Sequence, residues 1–154
     1  MKKLFTFILL LLATAFSIQA QQAKYVFYFI GDGMGTNQVL GTEMYLSELR
    51  GEIGVTPLLF TQFPYSTVAT TFSATNGVTD SAAAGTALAT GYKTNNSMLG
   101  MTPDGTIVES IITKAQKQNY AAGLVVTCYL QHATPAAFYA HVKSRGENDN
   151  ITDW

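Results

Sequence analysis

The segment from Thr79 to Ala87 constrains the fold most, because a turn-rich stretch changes there into a helix with almost no side chains. Small residues follow Ser81 almost without interruption, so a neighbouring element can pack closely against this helix. Ser81 lies in the first helical turn, where unpaired N–H groups and the helix dipole favour an anion. The segment therefore predicts a rigidly held hydroxyl beside an anion such as phosphate, although a simple helix cap at Asp80 or Ser81 explains the same residues.

Strand-like and helix-like runs alternate along the chain. Apolar and β-branched runs predict buried strands over 25–30, 65–72 and 121–128. Helices are expected from Thr36 as N-cap to Arg50–Gly51, after Ser81, over 106–119, and from Thr134 as N-cap onwards to include His141. This alternation favours an α/β fold with a mostly parallel central sheet flanked by helices, in which ligands gather at the carboxyl ends of the strands. The segment 91–105 is expected to be an exposed loop, because Asn95–Asn96 and Pro103-Asp104-Gly105 are turn signals.

Composition limits the classes of partner. Nine Lys and Arg residues oppose ten Asp and Glu residues, without a basic run, so nucleic acid and anionic membrane surfaces are not expected partners. The aromatic residues Tyr25, Phe27 and Phe29 are expected in the core rather than on a base-stacking surface. A hydrophobic content of 47% indicates a globular domain rather than disorder.

The N-terminus has the pattern of an export signal. Lys2 and Lys3 precede an apolar run that reaches Phe16, and a small residue, Ala20, ends the pattern. We expect a secretory signal peptide over 1–20 and a mature protein from residue 21, exported to the periplasm or the extracellular medium, with an uncleaved anchor as the alternative. Cys128 is the only cysteine, so no disulfide forms within the chain, and its thiol is expected to be buried.

Asp32 and Ser81 are the residues that elementary chemistry singles out. Asp32 follows the first predicted strand between Gly31 and Gly33, where small neighbours let an ion approach the carboxylate. The glycine spacing is not G-x-G-x-x-G, and Asp32 would repel a pyrophosphate, which disfavours a dinucleotide site. Ser81 lacks the G-x-S-x-G elbow of a triad esterase. A cation held by Asp32 near Ser81 would offset phosphate charge and activate the hydroxyl.

Four ordered segments resemble the alkaline phosphatase family. Two of its signatures are similar to residues 29–35, FIGDGMG, and residues 78–87, VTDSAAAGTA. The family's segment after the nucleophile helix is similar to residues 90–94, TGYKT, and its magnesium and phosphate region to residues 132–137, HATPAA, with Ser144–Arg145. The resemblance covers most of residues 25–145, and it implies the family's α/β fold.

Site roles follow from this resemblance residue by residue. It implies that Ser81 attacks phosphorus and becomes a transient phosphoserine, that Arg145 grips two phosphate oxygens, and that Asp80 steadies Arg145. It implies two Zn²⁺ ions and one Mg²⁺ ion, with Asp32 bridging a zinc and the magnesium and Thr134 as a magnesium ligand. His132 matches a position close to that ion, as a surrounding group rather than a ligand.

The implied activity is hydrolysis of small-molecule phosphate monoesters. A related phosphodiesterase and a non-catalytic, exported phosphate-binding module are the alternatives, and a homodimer is one option for the assembly. The family draws most metal ligands from sequence beyond the matched part, while Glu147, Asp149 and Asp153 are the only carboxylates after Arg145. We therefore expect residues 21–154 to be the N-terminal part of one larger catalytic domain, inactive alone and with unpaired sheet surface.

Overall fold

The computed structural model describes residues 23–154, so the signal peptide predicted over 1–20 lies outside the described residues. The chain divides after Ile30 into two units, and residues 23–30 are the described part of the first unit. These eight residues form no strand. The side chains of Tyr25, Phe27 and Phe29 are 71%, 79% and 88% exposed, so the expectation that they lie in the core is wrong for this structure.

The second unit, Gly31–Trp154, is built mainly from short helices joined by long irregular segments. Its helices are α1 (Thr36–Glu48), α2 (Ser81–Thr90), α3 (Ile111–Lys117), α4 (Ala133–Ala136) and α5 (Asn148–Thr152), with a 3₁₀ turn at Phe60–Gln62. Isolated antiparallel bridges pair Leu99 with Val142 and Met101 with Ile107. Residues 65–72 and 121–128 form no strand in the part of the chain that the structure describes, so the parallel sheet stays a prediction.

Helix α2 begins where the capping residues predict it. Asp80 is the N-cap, and its Oδ1 accepts a hydrogen bond of 2.9 Å from the backbone N–H of Ala83. Gly91, at φ +82°, ends the helix in the left-handed conformation that glycine adopts without steric cost. Ala82 and Ala89 are buried, so the small side chains allow close packing as expected. The prediction of an alanine-rich helix starting at Ser81 is confirmed.

Helix α4 packs directly on α2. A Cβ atom added to Gly85 would lie 3.0 Å from the Cβ of Ala137 and 3.5 Å from the Cα of Thr134, so the two helices meet where α2 lacks a side chain. The N-cap of α4 is His132 rather than Thr134, and the helix ends before His141. Both expected boundaries of this helix are therefore wrong, and Thr134 lies inside its only turn.

The segment 91–105 is partly buried, contrary to the expected exposed loop. Thr94 and Leu99 are completely buried, and Met98 is only 8% exposed. The hydroxyl of Thr86, on α2, donates to the backbone oxygen of Met98 at 3.3 Å and accepts from the backbone N–H of Gly100 at 3.0 Å. These two bonds fasten the segment to α2, because each satisfies a backbone group that burial would otherwise leave unpaired.

Helix α1 holds the chain that follows it through Glu43. Glu43 Oε1 accepts hydrogen bonds from Thr61 Oγ1 at 2.6 Å and from the Leu58 backbone N–H at 2.9 Å. The bond from Thr61, followed by that from Leu58, holds the pKa of the Glu43 carboxyl below its ordinary value. Gly35, not Thr36, is the N-cap of this helix.

Three further observations concern Cys128, helix α3 and membrane insertion. Cys128 is exposed, so the prediction of a buried thiol is wrong for this structure. Helix α3 begins after Ser110 and is shorter than the expected span 106–119. Across residues 23–154, none of the helices has the length and apolar character needed to cross a bilayer.

Replacing Gly85 by Leu is expected to lower the free energy of unfolding by about 1–3 kcal/mol, because a side chain there must displace α4. The matched control is Gly41→Leu in α1, where an added Cβ meets no atom within 4 Å. That variant should be neutral or stabilising by up to about 1 kcal/mol, since leucine is a better helix former than glycine. Urea titrations of both variants measure the difference. Equal effects at the two glycines would contradict the close packing of α2 on α4.

Candidate functional site

Ser81 occupies the first position of α2, directly after the capping Asp80. Its Oγ accepts a hydrogen bond of 2.8 Å from Nη1 of Arg145, which lies 64 residues away in the sequence. Ser81 is partly buried, so its hydroxyl is held by a fixed backbone but remains reachable. The structure therefore brings the predicted nucleophile and the predicted phosphate-binding arginine into direct contact.

Asp80 serves both the helix and the arginine. Its Oδ1 caps the helix, while its Oδ2 lies 3.4 Å from Nη1 of Arg145. The side chain of Arg145 is 30% exposed and that of Asp80 is 24% exposed, so water screens this ion pair less than it screens pairs on the open surface. The carboxylate orients the guanidinium group from one side, which leaves its planar array of donors available for an anion.

His132 contacts the same arginine from the start of α4. Its Nε2 lies 3.5 Å from Nη2 of Arg145. Arginine has donors only, so a hydrogen bond in this contact requires Nε2 to carry no proton. The ring also packs edge-on against Tyr129, with 5.5 Å between the ring centroids. His132 therefore borders the guanidinium group, next to the helix that carries Thr134.

Asp32 and Thr134 form a second cluster. The hydroxyl of Thr134 donates to Asp32 Oδ2 at 2.9 Å, across 102 residues of sequence. Carboxylate and hydroxyl oxygens are ligands that Mg²⁺ accepts, so this pair fits a partial magnesium site. Zinc sites need three or four protein ligands, and residues 23–154 contain no group of three or more His, Cys, Asp or Glu side chains that could hold a metal. The described residues alone do not fit the two zinc ions.

Helix α4 connects the two clusters. His132, its N-cap, contacts Arg145, and Thr134, two positions later, contacts Asp32. Because α4 also packs on α2 at Gly85, the helix that starts with Ser81 and the helix that carries Thr134 form one packed unit. The predicted site residues thus fall into two hydrogen-bonded groups that share one short helix. A guanidinium group beside a serine at a helix N-terminus can bind and polarise a tetrahedral oxyanion.

Sequence reasoning missed the segment that supports Asp80. The backbone N–H of Ser97 donates to Asp80 Oδ2 at 3.0 Å, and the side chain of Asn96 accepts from the Asp80 backbone N–H at 3.3 Å. The turn signal at Asn95–Asn96 predicted a bend in the chain, but it did not indicate that this bend contacts Asp80. Both residues therefore emerge only from the structure.

Two other residues have contacts outside the site. Lys93 is exposed as expected, and its ammonium group bonds the backbone oxygen of Phe72 and lies 3.7 Å from the centre of that ring. His141 Nδ1 lies 2.8 Å from the backbone oxygen of Gly100, and its ring packs edge-on against Trp154. These contacts give Lys93 and His141 structural roles.

A serine at a helix N-terminus, an arginine held by a carboxylate, and a neighbouring pair of hard oxygen ligands are features that suit a phosphate-binding protein. The family profile described as alkaline phosphatase matches residues 23–153. The chain belongs to the alkaline phosphatase family, which confirms the resemblance seen in its motifs.

Curated relatives agree with this assignment. The chain is 38% identical over 136 residues to alkaline phosphatase 4 of Bacillus subtilis (strain 168), which covers 86% of this chain and 29% of the relative. It is 35% identical over 134 residues to the tissue-nonspecific alkaline phosphatase of Gallus gallus, covering 80% of this chain and 26% of the relative. The chain thus spans less than a third of the length of these relatives.

Solved structures show the same fold family. The alkaline phosphatase of a psychrophilic Shewanella species matches with a TM-score of 0.72 and 33% identity, over 79% of this chain and 31% of that chain. The alkaline phosphatase of the Antarctic bacterium TAB5 matches with a TM-score of 0.61 and 39% identity, over 71% of this chain and 32% of that chain. A histidine-to-aspartate mutant of the TAB5 enzyme, with magnesium bound in its M3 site, matches at 38% identity, over 70% of this chain and 31% of that chain, with a TM-score of 0.60. The chain therefore corresponds to a part of the alkaline phosphatase fold.

Proposed function

We propose that this chain is the N-terminal part of an exported alkaline phosphatase that hydrolyses phosphate monoesters through a phosphoserine at Ser81. The observation that carries this proposal is the hydrogen bond of 2.8 Å from Arg145 Nη1 to Ser81 Oγ. An arginine in contact with the nucleophile lies where it can also reach the oxygens of a phosphoryl group on that nucleophile. The family assignment supports the same reaction class.

Arg145, Ser81 and Asp80 have different roles in the proposed reaction. Arg145 and the N–H groups at the start of α2 bind the phosphoryl oxygens and offset their charge. Ser81 Oγ, after losing its proton to water, forms a bond to phosphorus while the bond to the ester oxygen breaks. The leaving oxygen takes up a proton from water and departs as the alcohol. Water then attacks the phosphoserine, the phosphorus bond to Ser81 Oγ breaks, and inorganic phosphate leaves. Asp80 keeps Arg145 aligned through both displacements.

The metal requirement is part of the proposal. Asp32 and Thr134 would hold Mg²⁺, with His132 near the ion, and Asp32 would be shared with one of two Zn²⁺ ions. We propose that the remaining zinc ligands come from sequence outside the described residues, because residues 23–154 hold no group of three ligands. When bound, these ions would supply electrostatic activation of the serine hydroxyl and of water.

The proposal also covers the substrate, the location and the assembly of the protein. We propose small-molecule phosphate monoesters as substrates, because the relatives are alkaline phosphatases by name. The N-terminal pattern over 1–20 supports cleavage of a signal peptide and a periplasmic or extracellular location. A homodimer is one option for the assembly. The runs 65–72 and 121–128 are proposed to join a parallel sheet in the complete enzyme.

A phosphate-binding module is the second candidate, and one observation favours it. Arg145, Ser81 and Asp80 contact one another directly, and a guanidinium group can bind phosphate oxygens through its own charge-assisted hydrogen bonds. Such a module would bind inorganic phosphate with an affinity that a chelator leaves unchanged. A phosphodiesterase of the same superfamily is the other enzyme that the motifs allow.

The test compares the full-length gene product with residues 23–154 alone. We expect the full-length protein to release phosphate from p-nitrophenyl phosphate, to lose this activity on treatment with a chelator, and to regain it with Zn²⁺ and Mg²⁺. Residues 23–154 alone should release none above background, because they hold no three-ligand group. Preferred cleavage of bis-p-nitrophenyl phosphate would indicate the phosphodiesterase. Chelator-insensitive phosphate binding without turnover would indicate the binding module.

A further inference from the structure

The segment that contains the turn at Ser97 and the bridge residue Leu99 connects α2 to the segment that carries Arg145. Leu99 and Val142 form an antiparallel bridge with hydrogen bonds of 2.9 and 3.1 Å between their backbones. Three residues after Val142, the backbone N–H of Arg145 donates to the Ser97 oxygen at 2.7 Å. The main chain of Arg145 is therefore attached to the backbone oxygen of Ser97.

The other backbone group of Ser97 reaches the same arginine through Asp80. Its N–H donates to Asp80 Oδ2 at 3.0 Å, and that oxygen lies 3.4 Å from Arg145 Nη1. Ser97 thus holds Arg145 at both ends, at the main chain directly and at the guanidinium group through the carboxylate. We propose that Ser97 is a positioning residue, whose backbone N–H and C=O together set the direction in which Arg145 faces Ser81.

Ser97 adopts a conformation that few side chains tolerate. Its φ is +73°, in the left-handed region, where glycine is free of steric cost and β-branched residues are strongly disfavoured. This conformation turns the N–H toward Asp80 and the C=O toward Arg145. Substitutions at Ser97 can therefore change how firmly the conformation is held while they keep the N–H and C=O in place.

The surrounding backbone prevents the segment from sliding to relieve such strain. A Cβ added to Gly100, at φ +60°, would lie 2.3 Å from the backbone oxygen of Ala140, so the register of the two segments is closely fixed. Thr86 fastens the same stretch to α2 through bonds to Met98 and Gly100. A change of conformation at Ser97 must therefore move the Asp80 or Arg145 contact rather than spread along the chain.

The test is a series of variants at Ser97 in the full-length protein, with inorganic phosphate as the probe. This inference rests on the proposed function, since Arg145 is taken as the phosphate ligand. Ser97→Gly should keep or improve the wild-type dissociation constant of phosphate, Ser97→Ala should weaken it slightly, and Ser97→Val should weaken it by about tenfold or more, because small misplacements of a binding group are costly. Recovery by glycine, which removes the side chain, distinguishes backbone positioning from a contact of the serine hydroxyl.

Asn119 provides the matched control. It also has a positive φ, +65°, and it follows α3, where its backbone N–H donates to the oxygen of Gln116 at 2.9 Å. Asn119→Val should reduce thermal stability by an amount similar to Ser97→Val and leave phosphate affinity unchanged. An equal loss of phosphate affinity in both variants would overturn the proposal, because it would indicate a general effect of instability.

Amide hydrogen exchange separates failure of this inference from failure of the proposed function. Exchange at the backbone N–H groups of Ser97 and Arg145 should accelerate in Ser97→Val but not in Asn119→Val. If the wild-type protein binds no phosphate while this exchange pattern holds, the proposed function fails and the support of Arg145 by Ser97 stands. If phosphate affinity in Ser97→Val matches the wild type while both amides lose protection, the positioning role is wrong.

Discussion

Ser81→Ala is expected to abolish the phosphoserine intermediate and to lower kcat of the full-length protein by about 10³-fold or more, because it removes the hydroxyl that Arg145 contacts. Stability should change little. Asp80, not Ser81, caps α2, and alanine is a good helix former. The loss of rate would therefore report chemistry rather than unfolding.

Mass spectrometry after rapid acid quenching measures the predicted intermediate. Wild-type protein should yield a phosphorylated peptide that contains Ser81, and Ser81→Ala should yield none. Ser66→Ala, which removes an exposed hydroxyl from residues 65–72, is the control and should retain both the phosphopeptide and the rate. Turnover in Ser81→Ala at the wild-type rate would exclude this serine as the nucleophile.

Local chemistry was sufficient to predict helix α2. The Asp80 cap, the small residues after Ser81 and Gly91 at the end all act within a few residues of one another, so the bounds of α2 followed from the sequence. The start of α4 was placed two residues too late. Thr134 and Pro135 are both good residues for a helix start, and the structure instead uses His132 as N-cap, where its ring also contacts Arg145.

Burial of the segment 91–105 could not be predicted, because it depends on distant partners. Its asparagines, glycines and proline are ordinary turn residues, which favour an exposed loop. Yet Thr86, on the preceding helix, bonds the backbone at Met98 and Gly100, and Val142 pairs with Leu99. Turn composition carries no information about such long-range backbone pairing.

The predicted strands show a second limit of prediction from sequence. An alternating or apolar run gives β propensity, but a strand requires a neighbouring strand with which to exchange hydrogen bonds. Val68 and Val125 are 95% and 100% exposed, so these runs have no covering layer in the part of the chain that the structure describes. The pattern predicted which residues favour a sheet, and it did not identify their partners.

The contact between Arg145 and Ser81 could be predicted only with the family resemblance. Chemistry alone singled out Asp32, which follows a predicted strand, and Ser81, which begins a predicted helix, both beside small residues. Arg145 by itself had the properties of an ordinary solvent-exposed charge, and 64 residues separate it from Ser81. Ser97 acts through its backbone, so its residue type gave no signal.

Arg145→Ala is expected to reduce kcat/KM by about 10²- to 10³-fold, because it removes the charged donors proposed to bind the phosphoryl oxygens. Arg145→Lys should recover only part of this loss, since an ammonium group cannot bind two oxygens in the planar manner of a guanidinium group. Arg50→Ala, at an exposed arginine after α1, is the control and should have no effect. Steady-state kinetics on p-nitrophenyl phosphate measure all three variants.

Asp80 allows the role of the ion pair to be separated from the role of the helix cap. Ala83, Ser97 and Arg145 all donate to the Asp80 carboxylate. Asp80→Asn keeps one oxygen that can accept the capping bond from Ala83. It places an amide NH₂ group, which cannot accept a hydrogen bond, against the donors of Ser97 and Arg145. Asp80→Asn should lower kcat/KM in the wild type but have a much smaller effect in the Arg145→Ala background, because the carboxylate acts on phosphate only through that arginine. Additive effects in this double-mutant cycle would contradict the coupling of Asp80 to Arg145. Asp80 would then be left with the role of helix cap alone.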